Sequence, residues 1–222
     1  MALVDRTGAV EARQRPLLRG VLHAVAAALA AVGMLALLAI ADSPRDYVGG
    51  AIFASSLVLL YATSATYHRL TWRPRVRRVM KRIDHAMIFV LIAGTYTPFC
   101  LLALSNAWGI TMLSVVWGVA GAGMLLKVLW PGAPKWVGVP LYVIVGWLAV
   151  IASPQLLDRL DAVPIAMLVG GGVLYTVGGA VYALERPDPW PKVFGYHEVF
   201  HALVLGGSAV HYTLVAVFLL PG

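Results

Sequence analysis

The chain has 222 residues, of which 60% are hydrophobic and only 12% charged, against about a quarter charged in an ordinary soluble domain. That composition excludes a soluble fold and makes the chain an integral membrane protein, so the first question is the number of spans. The net charge of +7 would suit nucleic acid, but its placement argues otherwise. The one cysteine, Cys100, lies in an apolar segment, which leaves no disulfide framework and no cysteine-based metal site.

Residues 1–19 are polar, carry Arg6, Arg13, Arg15 and Arg19, and read as a cytoplasmic tail. The first apolar run, 20–41, has the length of a span and no convincing cleavage site, so it reads as retained rather than as a removed signal. A second span covers 47–70 and ends in Ser64-Ala65-Thr66-Tyr67-His68, after which residues 69–82 are the most basic stretch of the protein. The third, 83–103, opens on Asp84 and His85 and holds Pro98 in its interior, where neighbouring helices must satisfy the freed carbonyl. The fourth is 108–130. Pro131 to Pro134 break the chain before a shorter fifth span at 136–151. The sixth, 163–184, carries Gly170 to Gly172 with Gly178 and Gly179, small residues expected to permit close helix packing in lipid. Arg186 to Pro189 separate it from a seventh at 196–220. The expectation is an all-α integral membrane protein whose residues 20–222 form a single seven-helix transmembrane bundle.

Charge placement tests that count. With the N-terminus in the cytoplasm and every span crossing, all 17 lysines and arginines except Arg45 and Arg159 fall on the cytoplasmic side. The C-terminus is then outside. This pattern accounts for the basic balance without nucleic acid and sets the 69–82 stretch against anionic headgroups of the inner leaflet.

The same topology brings polar residues from four spans to one depth. His68 ends the second span with Ser64 one turn deeper, Asp84 starts the third, His197 and His201 start the seventh, and His23 lies near the same end of the first. Ionisable groups within spans are costly and by default functional. His197 and His201 share a helix face about 6 Å apart along its axis, which suits two ligands of one metal ion or two hydrogen-bonded interface histidines. With His68 they supply three neutral imidazoles, the ligand set of a Zn²⁺ site that keeps an open position for water. Asp84 is then a partner that orients the water or a general base. Ser64 donates to water or to a substrate carbonyl, or bonds back to its own helix.

His197-Glu198-x-x-His201 also reads as a zinc-peptidase signature. Glu198, however, lies about 100° round the helix from His197, where an interfacial carboxylate needs no catalytic role. His85 is rotated away from Asp84 and reads as structural. His211, about 21 Å along the helix from His197, reads as lying near the outer surface and outside the site.

Ser64-x-x-x-His68, the Asp84-His85-Ala86-x-Ile88-Phe89 stretch running into Ala93 to Phe99, and His197-x-x-x-His201 together resemble the hemolysin III family. This is the bacterial branch of the group that holds the progestin and adiponectin receptors, and it is similar to the alkaline ceramidases. The resemblance covers nearly the whole chain. It implies a multi-pass protein of the bacterial inner membrane, zinc on His68, His197 and His201 with Asp84 and Ser64 beside it, and a membrane lipid or free fatty acid in the bundle. The family's first motif, E-x-x-N-x-x-x-H, is kept here only at His23, with Pro16 and Arg19 in place of the acid and the asparagine.

The expected function is zinc-dependent hydrolysis of a membrane lipid amide, ceramidase-like, with a role in lipid homeostasis. The alternatives are a non-catalytic, receptor-like regulator with structural zinc, the cytolysin that the family name implies, and an intramembrane protease using Glu198.

Overall fold

The computed structural model describes residues 15–130 and 132–220; Arg6 and Arg13 of the N-terminal tail lie outside the described residues. Among those described there is no strand, and seven helical segments are long and apolar enough to cross a membrane. The elements are α1 (Val21–Ala39), α2 (Pro44–Arg69), α3 (Pro74–Pro98), α4 (Asn106–Leu129), α5 (Lys135–Gly146), a short α6 (Ser153–Arg159), α7 (Ala162–Leu184) and α8 (Tyr196–Leu214). The fifth crossing, Lys135–Arg159, joins α5 to α6 through a tighter 3₁₀ stretch at Trp147–Ala152.

Two crossings are longer than expected. The third starts at Pro74 instead of residue 83, because proline suits a first helical turn and the following arginines, methionine and lysine form helix readily. The fifth continues beyond residue 151, past Ser153-Pro154, because a side chain from another helix sustains the irregular stretch. The Tyr96 hydroxyl of α3 donates to the Gly146 carbonyl at 2.7 Å and accepts the Ala149 N–H at 2.7 Å. Backbone groups released at membrane depth are tolerated only when satisfied in this way. After Pro98 the third crossing widens into a π turn over Phe99–Ala103, the local adjustment that an interior proline requires.

The bundle is apolar inside and out. Val25, Leu29, Val32 and Leu35 of α1 are exposed, as expected of a lipid face, while Phe53, Leu57, Phe89, Val116 and Leu214 are buried. Lipid tails are as apolar as leucine, so close packing rather than water exclusion must hold the helices together. α7 and α8 show the device: Gly207 stands where a methyl carbon would lie 3.1 Å from the Gly171 carbonyl oxygen, and a methyl at Gly171 would overlap the His211 imidazole. Gly178 and Gly179 pack similarly, whereas Gly170 faces open space.

Candidate metal centre

Three local structures deliver the histidines. α2 begins at a Ser43 N-cap with a reciprocal Asp46 bond and Pro44 in its first turn, and runs unbroken to Arg69. Ser64 and His68 therefore lie one turn apart on one face. α8 begins after Gly195, whose N–H is accepted by Glu198 at 2.9 Å, while Asp188 accepts the Tyr196 N–H at 2.9 Å. These contacts fix the first turn, from which His197 and His201 project. α1 begins after Gly20, whose φ of +77° is left-handed. A side chain there would also press on His68, its first carbon 2.8 Å from the His68 Cβ. Glycine thus lets α1 start against α2 and sets His23 into the same region.

The imidazoles of His68, His197 and His201 converge, each offering one nitrogen within 4.8 Å of the others. The His68 and His197 Nε2 atoms are 3.2 Å apart. Ligands about 2.1 Å from a tetrahedral ion stand a little over 3 Å from one another, so the donor set fits a metal ion in type and number, and the His68–His197 pair fits it in spacing. His201 is 2% exposed. Asp84 Oδ2 lies 3.9 Å from His68 Nε2, and Ser64 lines the same cavity as that carboxylate. The sequence-predicted set of Ser64, His68, Asp84, His197 and His201 is therefore brought together.

Glu198 corrects an expectation. It is not at the water interface but 1% exposed, and it accepts a charge-assisted hydrogen bond from Arg19 Nε as well as the Gly195 N–H. Both carboxylate oxygens are engaged in tying the N-terminal segment to the start of α8. That segment is also held by the Leu17 and Leu18 N–H groups, which donate to the Lys192 and Val193 carbonyls at 3.0 and 3.1 Å. Removing one partner of a buried pair leaves an uncompensated charge. Glu198→Gln is accordingly expected to lower the stability of the detergent-solubilised protein by about 3 kcal/mol without loss of bound metal. Thermal unfolding beside metal analysis checks this, and metal loss at unchanged stability contradicts it.

His85 donates through Nδ1 to the Lys81 carbonyl at 2.6 Å, in keeping with a structural reading, but its ring also lines the space beside the cluster. His211 lies outside the three-histidine cluster, as its distance along the helix implied; it is 5% exposed, donates from Nε2 to the Leu168 carbonyl at 3.1 Å, and lines the larger cavity described below. His23 stacks on His201 with ring centroids 3.7 Å apart and planes 12° from parallel. Neither of its ring nitrogens has a hydrogen-bond partner among the described residues. Its shared depth with the other histidines was the signal for it in the sequence. Tyr182 of α7 was not singled out there; its ring lies 5.7 Å from that of His197.

Two cavities open from this cluster. One, of about 420 Å³, runs into the bundle between apolar residues such as Leu60, Leu91, Phe99, Met112 and Val204, within the size range of small-molecule sites. The other, of about 310 Å³, opens at the end of the bundle where the N-terminal segment lies, between Arg15, Arg77, Lys81, Tyr67 and Tyr196.

The fold and the site together define a seven-helix membrane protein with a cluster of one buried and two half-buried histidines beside a carboxylate, placed between an apolar chamber and a polar mouth. The sequence profile described as "Haemolysin-III related" matches residues 12–212, and the chain belongs to that family. It is 36% identical over 173 residues to the "Hemolysin-3 homolog" of Bacillus subtilis, covering 78% of each chain. It is 35% identical over 170 residues to "Hemolysin-3" of Bacillus cereus, covering 77% of this chain and 74% of that one. It is also 26% identical over 189 residues to the "Adiponectin receptor protein" of Drosophila melanogaster, covering 77% of this chain but 42% of that protein. With these relatives and seven apolar helices, it is a multi-pass protein of the bacterial inner membrane.

Proposed function

We propose that the protein is a zinc-dependent hydrolase of a membrane lipid amide, ceramidase-like in its chemistry and active in lipid homeostasis. The observation that carries this reading is the position of Asp84, 3.9 Å from His68 and lining the mouth of an acyl-sized apolar chamber. His68, His197 and His201 would hold the ion. Bound Zn²⁺ supplies Lewis-acid polarisation of a carbonyl and makes water a better nucleophile near neutral pH.

The chain's own residues then have defined tasks. The apolar chamber takes the acyl chain, as substrate or as product free fatty acid, and sets its carbonyl at the cluster. Asp84 accepts the proton of the attacking water as the carbon–oxygen bond forms, and returns it to the amine nitrogen as the carbon–nitrogen bond breaks. Ser64, on the wall of the same chamber, donates its hydroxyl proton to the water or to the substrate carbonyl. The apolar chamber keeps water from the acyl side of the cluster, whereas the vestibule gives the attacking water a way in. The basic residues of 69–82 support an orientation with the N-terminus in the cytoplasm, the C-terminus outside, and anionic inner-leaflet headgroups around that stretch.

Purified protein given a panel of fluorescent long-chain acyl amides is expected to release fatty acid from at least one of them, and a chelator is expected to stop the release until zinc is restored. Release that persists at full rate in metal-free protein overturns the zinc reading, and absence of release from every acyl amide offered overturns the hydrolase. A second reading is a non-catalytic, receptor-like regulator in which metal clamps α2 to α8. It draws on the observation that the three histidines come from two helices far apart in the chain. The cytolytic reading rests on the relatives' name alone.

A further inference from the structure

The two cavities at the histidine cluster are opposite in character, and Asp84, His85, Tyr182 and His197 line both of them. A molecule reacting at the cluster therefore has one side in the apolar chamber and the other in the polar vestibule. Five cations line that vestibule: Arg15 and Arg19 from the N-terminal segment, Arg77 and Lys81 from α3, and Lys135 from α5. Two are committed, Arg19 to Glu198 and Lys135 to Glu185 at 2.7 Å. Arg15, Arg77 and Lys81 form no ion pair with a carboxylate among the described residues. Cations gathered at one cleft mouth concentrate the opposite charge, and two of the three uncommitted ones carry the planar guanidinium that grips phosphate through paired hydrogen bonds.

We propose that the vestibule is a headgroup subsite, and that the ligand of this site is a single-chain acyl amide whose amine side carries a phosphate. The amide in that statement rests on the hydrolase reading above, whereas the phosphate rests on the vestibule alone. The arrangement is unlike one for ceramide, whose amine side bears hydroxyls and a second long chain. Here the groups awaiting the amine side are Arg15, Arg77 and Lys81.

Binding tests the subsite without recourse to catalysis. Labelled hexadecyl phosphate is expected to bind the purified full-length protein about tenfold tighter than hexadecanol competes for the same site, with the difference shrinking at high salt. The triple variant Arg15→Gln, Arg77→Gln, Lys81→Gln should lose that preference while keeping its melting temperature and metal content, since all three residues are exposed. Equal affinity of the two ligands overturns the proposal, and so does a preference that survives the substitutions. Displacement of hexadecyl phosphate by inorganic phosphate at comparable concentration would assign the site to free phosphate and equally overturn it.

A matched pair of substrates separates this inference from the reading it extends. N-palmitoylethanolamine phosphate should be cleaved with kcat/KM about tenfold above N-palmitoylethanolamine, and equally in the triple variant. A binding preference with neither amide cleaved leaves the headgroup subsite standing and removes the hydrolase. Equal cleavage of both amides with equal binding keeps the hydrolase and removes the subsite.

Discussion

Zinc affinity is expected to fall at least about a hundredfold in His68→Ala and in His201→Ala, with about one equivalent of zinc retained by the unaltered protein. Disturbing a mere supporting partner of a metal ligand already costs 10–100-fold, so losing one of three ligands sets the lower end of the effect. The two variants probe the cluster from opposite sides. His68 comes from the last turn of α2 and His201 from the second turn of α8. Metal binding therefore joins two helices that the chain separates by more than a hundred residues, and chelation should lower the melting temperature as binding to the folded state is lost. His23→Ala is the control. It stacks on His201 but does not belong to the three-nitrogen cluster, so that variant should keep its metal. Metal analysis after gel filtration reads all three, and full zinc in both ligand variants would show the site to be misassigned.

Asp84→Asn is expected to slow amide hydrolysis by about 10²- to 10⁴-fold, the usual loss when a positioned acid–base group is removed, with zinc retained. Asp84 Oδ2 is too far from His68 Nε2, at 3.9 Å, for a direct hydrogen bond, and it lines both cavities. A carboxylate so placed can reach a water or a leaving nitrogen between them without first giving up a ring contact. Asparagine keeps the shape but accepts no proton. Turnover that survives the substitution would remove Asp84 from the chemistry. Loss of zinc along with turnover would instead mark it as a support of the metal ligands, since such partners govern affinity.

How much of this was legible in the letters depends on the range of the interaction concerned. The pair His197 and His201 could be read because a helix converts a four-residue spacing into one face. Ser64 and His68 followed by the same rule, and Asp84 joined them because charge placement sets the depth of each span. Glu198 could not be read in that way. Its environment is set by Arg19, 179 residues away, and by a chain segment that returns to pack along the loop before α8. Local spacing alone left Glu198 at the interface; the return of the N-terminal segment buries it. The enclosure of His211 could not be read for a related reason. Its distance along α8 kept it out of the cluster, but only Gly171 of α7 shows that the helices approach closely enough to enclose the ring.

The letters alone settled what is local or averaged over many residues. Composition made this a membrane protein, hydropathy with charge asymmetry counted seven crossings, and helical periodicity on α2 and α8 selected the histidines. Those properties survive because a bilayer admits few ways of satisfying a backbone, so helix length and polarity leave little to chance. Packing supplied everything that needs two distant segments at one point. It closed the cluster across α2 and α8 to a 3.2 Å contact, stacked His23 on His201, and engaged Glu198 with Arg19. It also shaped an apolar chamber and a cationic vestibule that meet at Asp84. Such contacts depend on side-chain fit between helices rather than on any pattern within one, and only the folded bundle brings their partners within reach.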